Sequence, residues 1–222
     1  MLKFLTVFFG FILAAQSSFA EKVRLLADDR EALQARVDIL QQAKSEIIAE
    51  YFSVWNDDQS IGGMALLIDA AQRGVKVKVI IDAISNMIPR AVFAALRQKG
   101  MDIYGNQNLE VKVYNPIGIN LLRATHRDHA KMIIVDGHTI ISGGRNVGDK
   151  YFGLSKDRNF HDLDIIMSGP AVQDARQNFL KAWNSKIVSD VYLYEFEEEN
   201  LDPWKCRTLM IGYSVMSVVW QR

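Results

Sequence analysis

One cysteine, Cys206, stands in the 222 residues, so no intrachain disulfide can brace this fold. Four prolines and fourteen glycines are too few for a low-complexity or collagen-like segment, and no internal repeat is visible. Basic and acidic side chains balance at 26 each, so the chain has no overall basic field with which to hold nucleic acid. A local basic cleft is still compatible with that neutrality. Histidine is scarce, at four residues. Asp162 and Asp164 have no His or third carboxylate at ligand spacing, so they read as a solvated strand face rather than a metal pair. No apolar run reaches the roughly 18–20 residues that a membrane-spanning helix needs.

The ends of the chain differ from its middle. Lys3, the apolar core Phe4–Ala15 and the small-x-small triplet Ser18-Phe19-Ala20 form a secretory signal pattern. Cleavage is expected after Ala20, with an uncleaved N-terminal anchor as the alternative, and no cysteine follows the core to carry a lipid. The remaining stretch of about 200 residues is one ordinary domain, expected over 21–190. Residues 191–222 read as an acidic linker and an atypical apolar tail. Glu195–Asn200 is the acidic run, Asp202-Pro203 a break, and Thr208–Trp220 is apolar again. That tail is expected to be either a packed terminal segment or the product of a truncation or frame change.

In between, helical and strand patterns alternate. Helices are expected over Glu31–Lys44 (capped by Asp28 or Asp29), Ile61–Arg73 (stopped by Gly74), Arg90–Gln98 and Ala171–Lys186. Strands are expected over Glu46–Trp55, Val75–Asp82, Leu109–Tyr114 and Asp162–Met167. Lys131–Ser142 reads as a hairpin, and Gly144–Phe152 as a loop running into a short helix. The fold class is therefore α/β, a mixed sheet flanked by helices. Trp55, Trp183 and Trp204 read as packing residues.

The chemistry concentrates in His129-x-Lys131-x4-Asp136, followed by Gly143-Gly144-Arg145-Asn146. Asp136-Gly137 suits a two-residue turn with both central residues at positive φ. That turn pairs Val135 with His138, Ile133 with Ile140 and Lys131 with Ser142, and sets His129 across from Gly144. His129 and Lys131 then point to one face. Asp136 falls at the far end, roughly 20 Å away at about 3.3 Å per residue, as a turn and scaffold residue. Gly143 and Gly144 are candidates to cradle a phosphate with successive backbone N–H groups. Lys131 supplies a positive charge and Asn146 an amide donor. Asp162 is a candidate to accept one ring N–H of His129, leaving the other nitrogen free to attack. His126, His138 and His161 read as surface or satisfied side chains.

These residues resemble the HKD signature of the phospholipase D superfamily. The flanks Gly144–Phe152, Asp162-Leu163-Asp164 and Gly169-Pro170 are similar to its bacterial cardiolipin synthase branch. The resemblance covers about Leu25 to Ser189 and implies a single phospholipase D-like lobe. It implies a phosphodiesterase or phosphatidyltransferase that needs no cofactor or metal. His129 would form a phosphohistidine, Lys131 and Asn146 would hold the nonbridging oxygens, Asp162 would orient the histidine, and Asp136 is the motif's acidic letter. The implied substrate is a phospholipid at a membrane surface, on the periplasmic side of the inner membrane or in the periplasm. Enzymes of this kind carry two such motifs, one histidine attacking while the other protonates the leaving group. This sequence has one, which points to a homodimer completing the site or to an inactive lobe that only binds phosphate or lipid. An exported metal-independent endonuclease is the remaining alternative, with nucleic acid the less favoured partner.

Overall fold

The computed structural model describes residues 21–87, 108–116 and 125–190. The signal pattern, the helix expected over Arg90–Gln98, Trp204, Cys206, the acidic run and the apolar tail lie outside these residues. In chain order the elements are β1 (Lys22–Leu26), α1 (Asp29–Gln42), β2 (Glu46–Tyr51), α2 (Asp58–Gln72), β3 (Lys76–Asp82), β4 (Leu109–Tyr114), β5 (Lys131–Val135), β6 (Thr139–Gly143), a 3-10 turn (Asp149–Tyr151), β7 (Asp164–Ser168), α3 (Ala171–Trp183) and β8 (Val188–Asp190).

The strands form one mixed sheet in the order β1-β7-β6-β5-β2-β3-β4-β8. β2, β3 and β4 run parallel, because α2 carries the chain back between β2 and β3. Every other pairing is antiparallel. Both faces are covered, and alternation along the central strands sorts side chains between them. Ile47, Ala49 and Tyr51 of β2, with Ile133 and Val135 of β5, pack against Leu40 of α1 and Met64, Leu67 and Ala70 of α2. Ile48, Ile80, Ile134 and Ile140 face Val172, Phe179 and Trp183 of α3. With both faces buried, central strands read as near-continuous apolar runs. Asp28 caps α1 by accepting the Glu31 N–H at 2.9 Å, and Asp57 caps α2 through Ser60. Gly74, at φ 93°, ends α2 in a conformation that favours glycine.

The hairpin corrects the expected register. The turn itself forms as read: Asp136 and Gly137 have φ of 52° and 63°, and the His138 N–H reaches the Val135 carbonyl at 3.1 Å. But the ladder pairs Val135 with Thr139, Ile133 with Ile141 and Met132 with Ser142. Exposed His138 is an extra residue between turn and strand. It keeps Ile140 beneath α3 and swings Ile141 towards Leu26, Ala32 and Phe152, where the expected pairing would have exchanged their faces. β1 and β8 were not legible as strands: β1 is largely exposed, and β8 has three residues.

Candidate active site

Antiparallel pairing of β5 with β2 sets Lys131 beside Tyr51, so the open end of the hairpin lies at the C-terminal end of the parallel strands. The Phe52 N–H extends that ladder to the Ala130 carbonyl at 3.0 Å. The Phe52 ring then stacks on His129 at 4.1 Å and 18°. The Lys131 ammonium lies 5.4 Å from the same ring centre and donates to the His129 carbonyl at 2.8 Å. An exposed imidazole and a half-buried ammonium thus both contact one aromatic ring. Such a pair can offer a ring nitrogen and a positive charge to one anionic group. His126, His138 and His161 are all exposed.

The other predicted residues take different positions. Asp136 sits at the turn end, where its carboxylate accepts the Lys44, Ser45 and Glu46 N–H groups and the Ser45 hydroxyl. Burial pushes its carboxyl up, but these donors outweigh burial and hold it below its ordinary value. They tie the turn to the start of β2. Asn146 is buried, accepting the Ser53 N–H at 2.9 Å and donating to the Tyr151 hydroxyl at 3.0 Å. Its amide thus braces the residue after Phe52, and the nitrogen expected to donate to phosphate already donates once, to Tyr151.

The phosphate cradle expected at Gly143 and Gly144 is corrected. The Gly144 N–H goes to the Leu163 carbonyl at 2.9 Å, and the next amide, of Arg145, to Asp164 at 3.2 Å. The glycines are required by close approach instead. A Cβ on Gly143 would overlap the Leu163 carbonyl and the Asp164 backbone, and one on Gly144 would overlap the Asp162 carboxylate. Half-buried Asp162 therefore lies against Gly144, and among the described residues no hydrogen bond joins it to His129.

Asp164 also departs from a solvated face or metal pair. It is buried and receives Arg36 at 2.9 Å and Arg145 at 3.1 Å. Arg145 is fully buried and spends its remaining donors on Asp29 and the carbonyls of Leu26, Ala27 and Tyr151. Among the described residues, no three His, Cys, Asp or Glu side chains are gathered as a metal site would need.

A second charged cluster, beside His129, escaped the sequence reading. Asp82, fully buried at the end of β3, accepts the Ile84 N–H at 2.9 Å, the Asp128 N–H at 3.0 Å and Arg127 at 3.3 Å. Asp128 accepts the Ala130 N–H at 2.9 Å. Glu50 of β2 faces Asp128, and burial, followed by that neighbouring carboxylate, pushes its carboxyl up to about 8. The only signals in the sequence were two charged residues flanking the histidine and an acid closing an apolar strand.

Residues 37–183 match the family described as "Cardiolipin synthase, PLD-like domain". Cardiolipin synthase C of Escherichia coli (strain K12) is 33% identical over 177 residues, 72% of this chain and 34% of its own length. Cardiolipin synthase 2 of Bacillus anthracis is 30% identical over 173 residues, 77% of this chain and 32% of its own. The chain spans about a third of the length of these curated relatives. Its fold is similar to that of NucT from Helicobacter pylori (TM-score 0.56, 18% identity, 77% of this chain and 99% of that one). It is also similar to phosphatidylserine synthase of Haemophilus influenzae Rd KW20 (TM-score 0.64, 15% identity, 86% of this chain and 43% of that one).

Proposed function

The chain belongs to the cardiolipin synthase, PLD-like domain family, and on that footing we propose that it transfers or hydrolyses the phosphatidyl group of a phospholipid through a phosphohistidine on His129. The observation that carries this reading is the shared Phe52 plate, which presents His129 and Lys131 together at the open end of the hairpin. A His129 ring nitrogen attacks phosphorus, the bond to the first alcohol breaks, and that alkoxide leaves with a proton from an acid. Water or a second alcohol then attacks phosphorus, returns a proton to the same group, and the phosphorus–nitrogen bond breaks. Lys131 neutralises the nonbridging oxygens. The family pattern adds Asn146 as a further donor there and Asp162 as the residue that orients the histidine.

The acid is assigned to a second copy of the chain, placing two His129 side chains across a twofold axis. The signal pattern and a lipid substrate support a location in the periplasm or on the periplasmic side of the inner membrane. The test is turnover by purified protein on phosphatidylglycerol vesicles and on plasmid DNA, with chelator present. Lipid turnover that survives chelation and is lost in His129→Ala, at unchanged melting temperature, is expected. DNA cleavage without lipid turnover would replace the lipid reading with the nuclease one, and absence of both would leave a binding lobe.

A further inference from the structure

We propose that Glu50 and Asp128 share a single proton, and that this proton holds the segment entering β5 in the conformation that presents His129, making Glu50 a positioning residue of the site. The inference rests on the reading of His129 as the nucleophile. Asp128 immediately precedes His129, and three of its polar atoms are placed. Its N–H is held by Asp82, one carboxylate oxygen accepts the Ala130 N–H, and the other oxygen is buried with no hydrogen-bond partner among the described residues. A buried carboxylate oxygen without a donor is costly. The side chain facing it is another carboxyl, Glu50, itself buried. A proton between the two carboxyls gives that oxygen a partner.

Among the described residues no surrounding donor is hydrogen-bonded to that Asp128 oxygen. Asp82 of β3 only accepts. Arg127 spends its two terminal nitrogens on Asp82 and on the Asn115 carbonyl, and its buried Nε has no hydrogen-bond partner among the described residues, so it does not serve Asp128 either. Tyr114 of β4 is held protonated, its hydroxyl pushed up by burial and then by Asp128, against the opposing pull of Arg127. Among the described residues three carboxyl groups therefore face one guanidinium, and one proton halves the excess negative charge. The Glu50 value of about 8, above the ordinary carboxyl range, fits that proton staying in place at neutral pH. The stabilisation it brings is complete in acid and is lost as pH rises through that value. Once it is lost, two like charges meet one residue from His129.

The test is a pH titration of the full chain and its Glu50→Gln and Asp128→Asn variants, followed by the NMR amide signal of His129 and by phosphodiester turnover. The wild-type His129 signal should move with a midpoint near 8. In Glu50→Gln that transition should vanish, and in Asp128→Asn its midpoint should fall. Turnover at about pH 9 relative to about pH 6 should be up to about tenfold higher in Glu50→Gln than in wild type, because a midpoint near 8 leaves only about a tenth of the carboxyl protonated at the higher pH. A His129 signal with no such midpoint, or one unchanged in both variants, overturns the shared proton. Unchanged pH profiles alongside His129-dependent turnover overturn the positioning role. Absent turnover with the expected NMR transitions overturns the functional reading alone.

Discussion

Two buried charge clusters flank the candidate site, and they are built on opposite principles. Around Asp164, two guanidiniums (Arg36 and Arg145) meet two carboxylates (Asp164 and Asp29), and backbone carbonyls take the remaining Arg145 donors. Around Asp128, three carboxyl groups meet one guanidinium, that of Arg127, among the described residues. The first cluster is compensated, and it locks β7, α1 and the Gly143–Asn146 loop together at any ordinary pH. The second is short of positive charge and must take up a proton, so it responds to pH beside the histidine. Burial of charge is thus used once as a staple and once as a titratable support.

Removing a partner from the compensated cluster should have the largest effect. Asp164→Ala leaves Arg36 buried without its carboxylate and Arg145 with Asp29 alone, and should cost about 3–5 kcal/mol in chemical denaturation. A loss below about 1 kcal/mol would show that the cluster is not the staple described. Pressing on the same cluster sterically should cost less. Gly143→Ala drives a methyl into the Leu163 carbonyl and the Asp164 backbone, and about 1–3 kcal/mol is expected. Gly144→Ala should cost less still, because the Asp162 carboxylate in its way is the end of a side chain.

The smallest effect should be at Asp136, whose carboxylate is held by backbone donors instead of arginine. Asp136→Ala should cost about 1–2 kcal/mol with little change in turnover per folded molecule. Its folded carboxyl is held low, so its contribution is present at neutral pH and is lost as pH falls through the ordinary carboxyl range. Melting curves of wild type and variant should therefore converge in acid, the reverse of the alkaline loss expected for Glu50. Failure to converge would mean that Asp136 acts through something other than its charge.

Much of this was legible in local pattern. The Asp28 cap, the Gly74 stop, the strand Leu109–Tyr114 and the Asp-Gly turn all depend on residues a few positions apart, which a sequence displays directly. The site was legible where spacing is local: His129 and Lys131, two apart at a strand entrance, both reach the Phe52 ring. What escaped depended on distant partners. Asp164 looked like a solvated strand residue because Arg36, 128 positions away, is invisible to local pattern. Gly143 and Gly144 looked like an anion cradle because glycine serves equally for exposed N–H groups and for close packing, and only the approach of residues 162–164 decides between them. The one-residue slip in the hairpin had the same origin, since burial beneath α3 and α1 overrode the shortest turn.

By itself, the sequence determined most of the described elements, the mixed character of their sheet, and the imidazole and ammonium at the hairpin entrance, because periodicity and turn chemistry act over a few residues. Only the tertiary structure decided which carboxylates are neutralised by arginine, which glycines are there for packing, and which acid is left to share a proton beside His129. Those outcomes depend on burial and on partners brought together from remote positions, and desolvation gives a charge its cost only after the chain has closed around it.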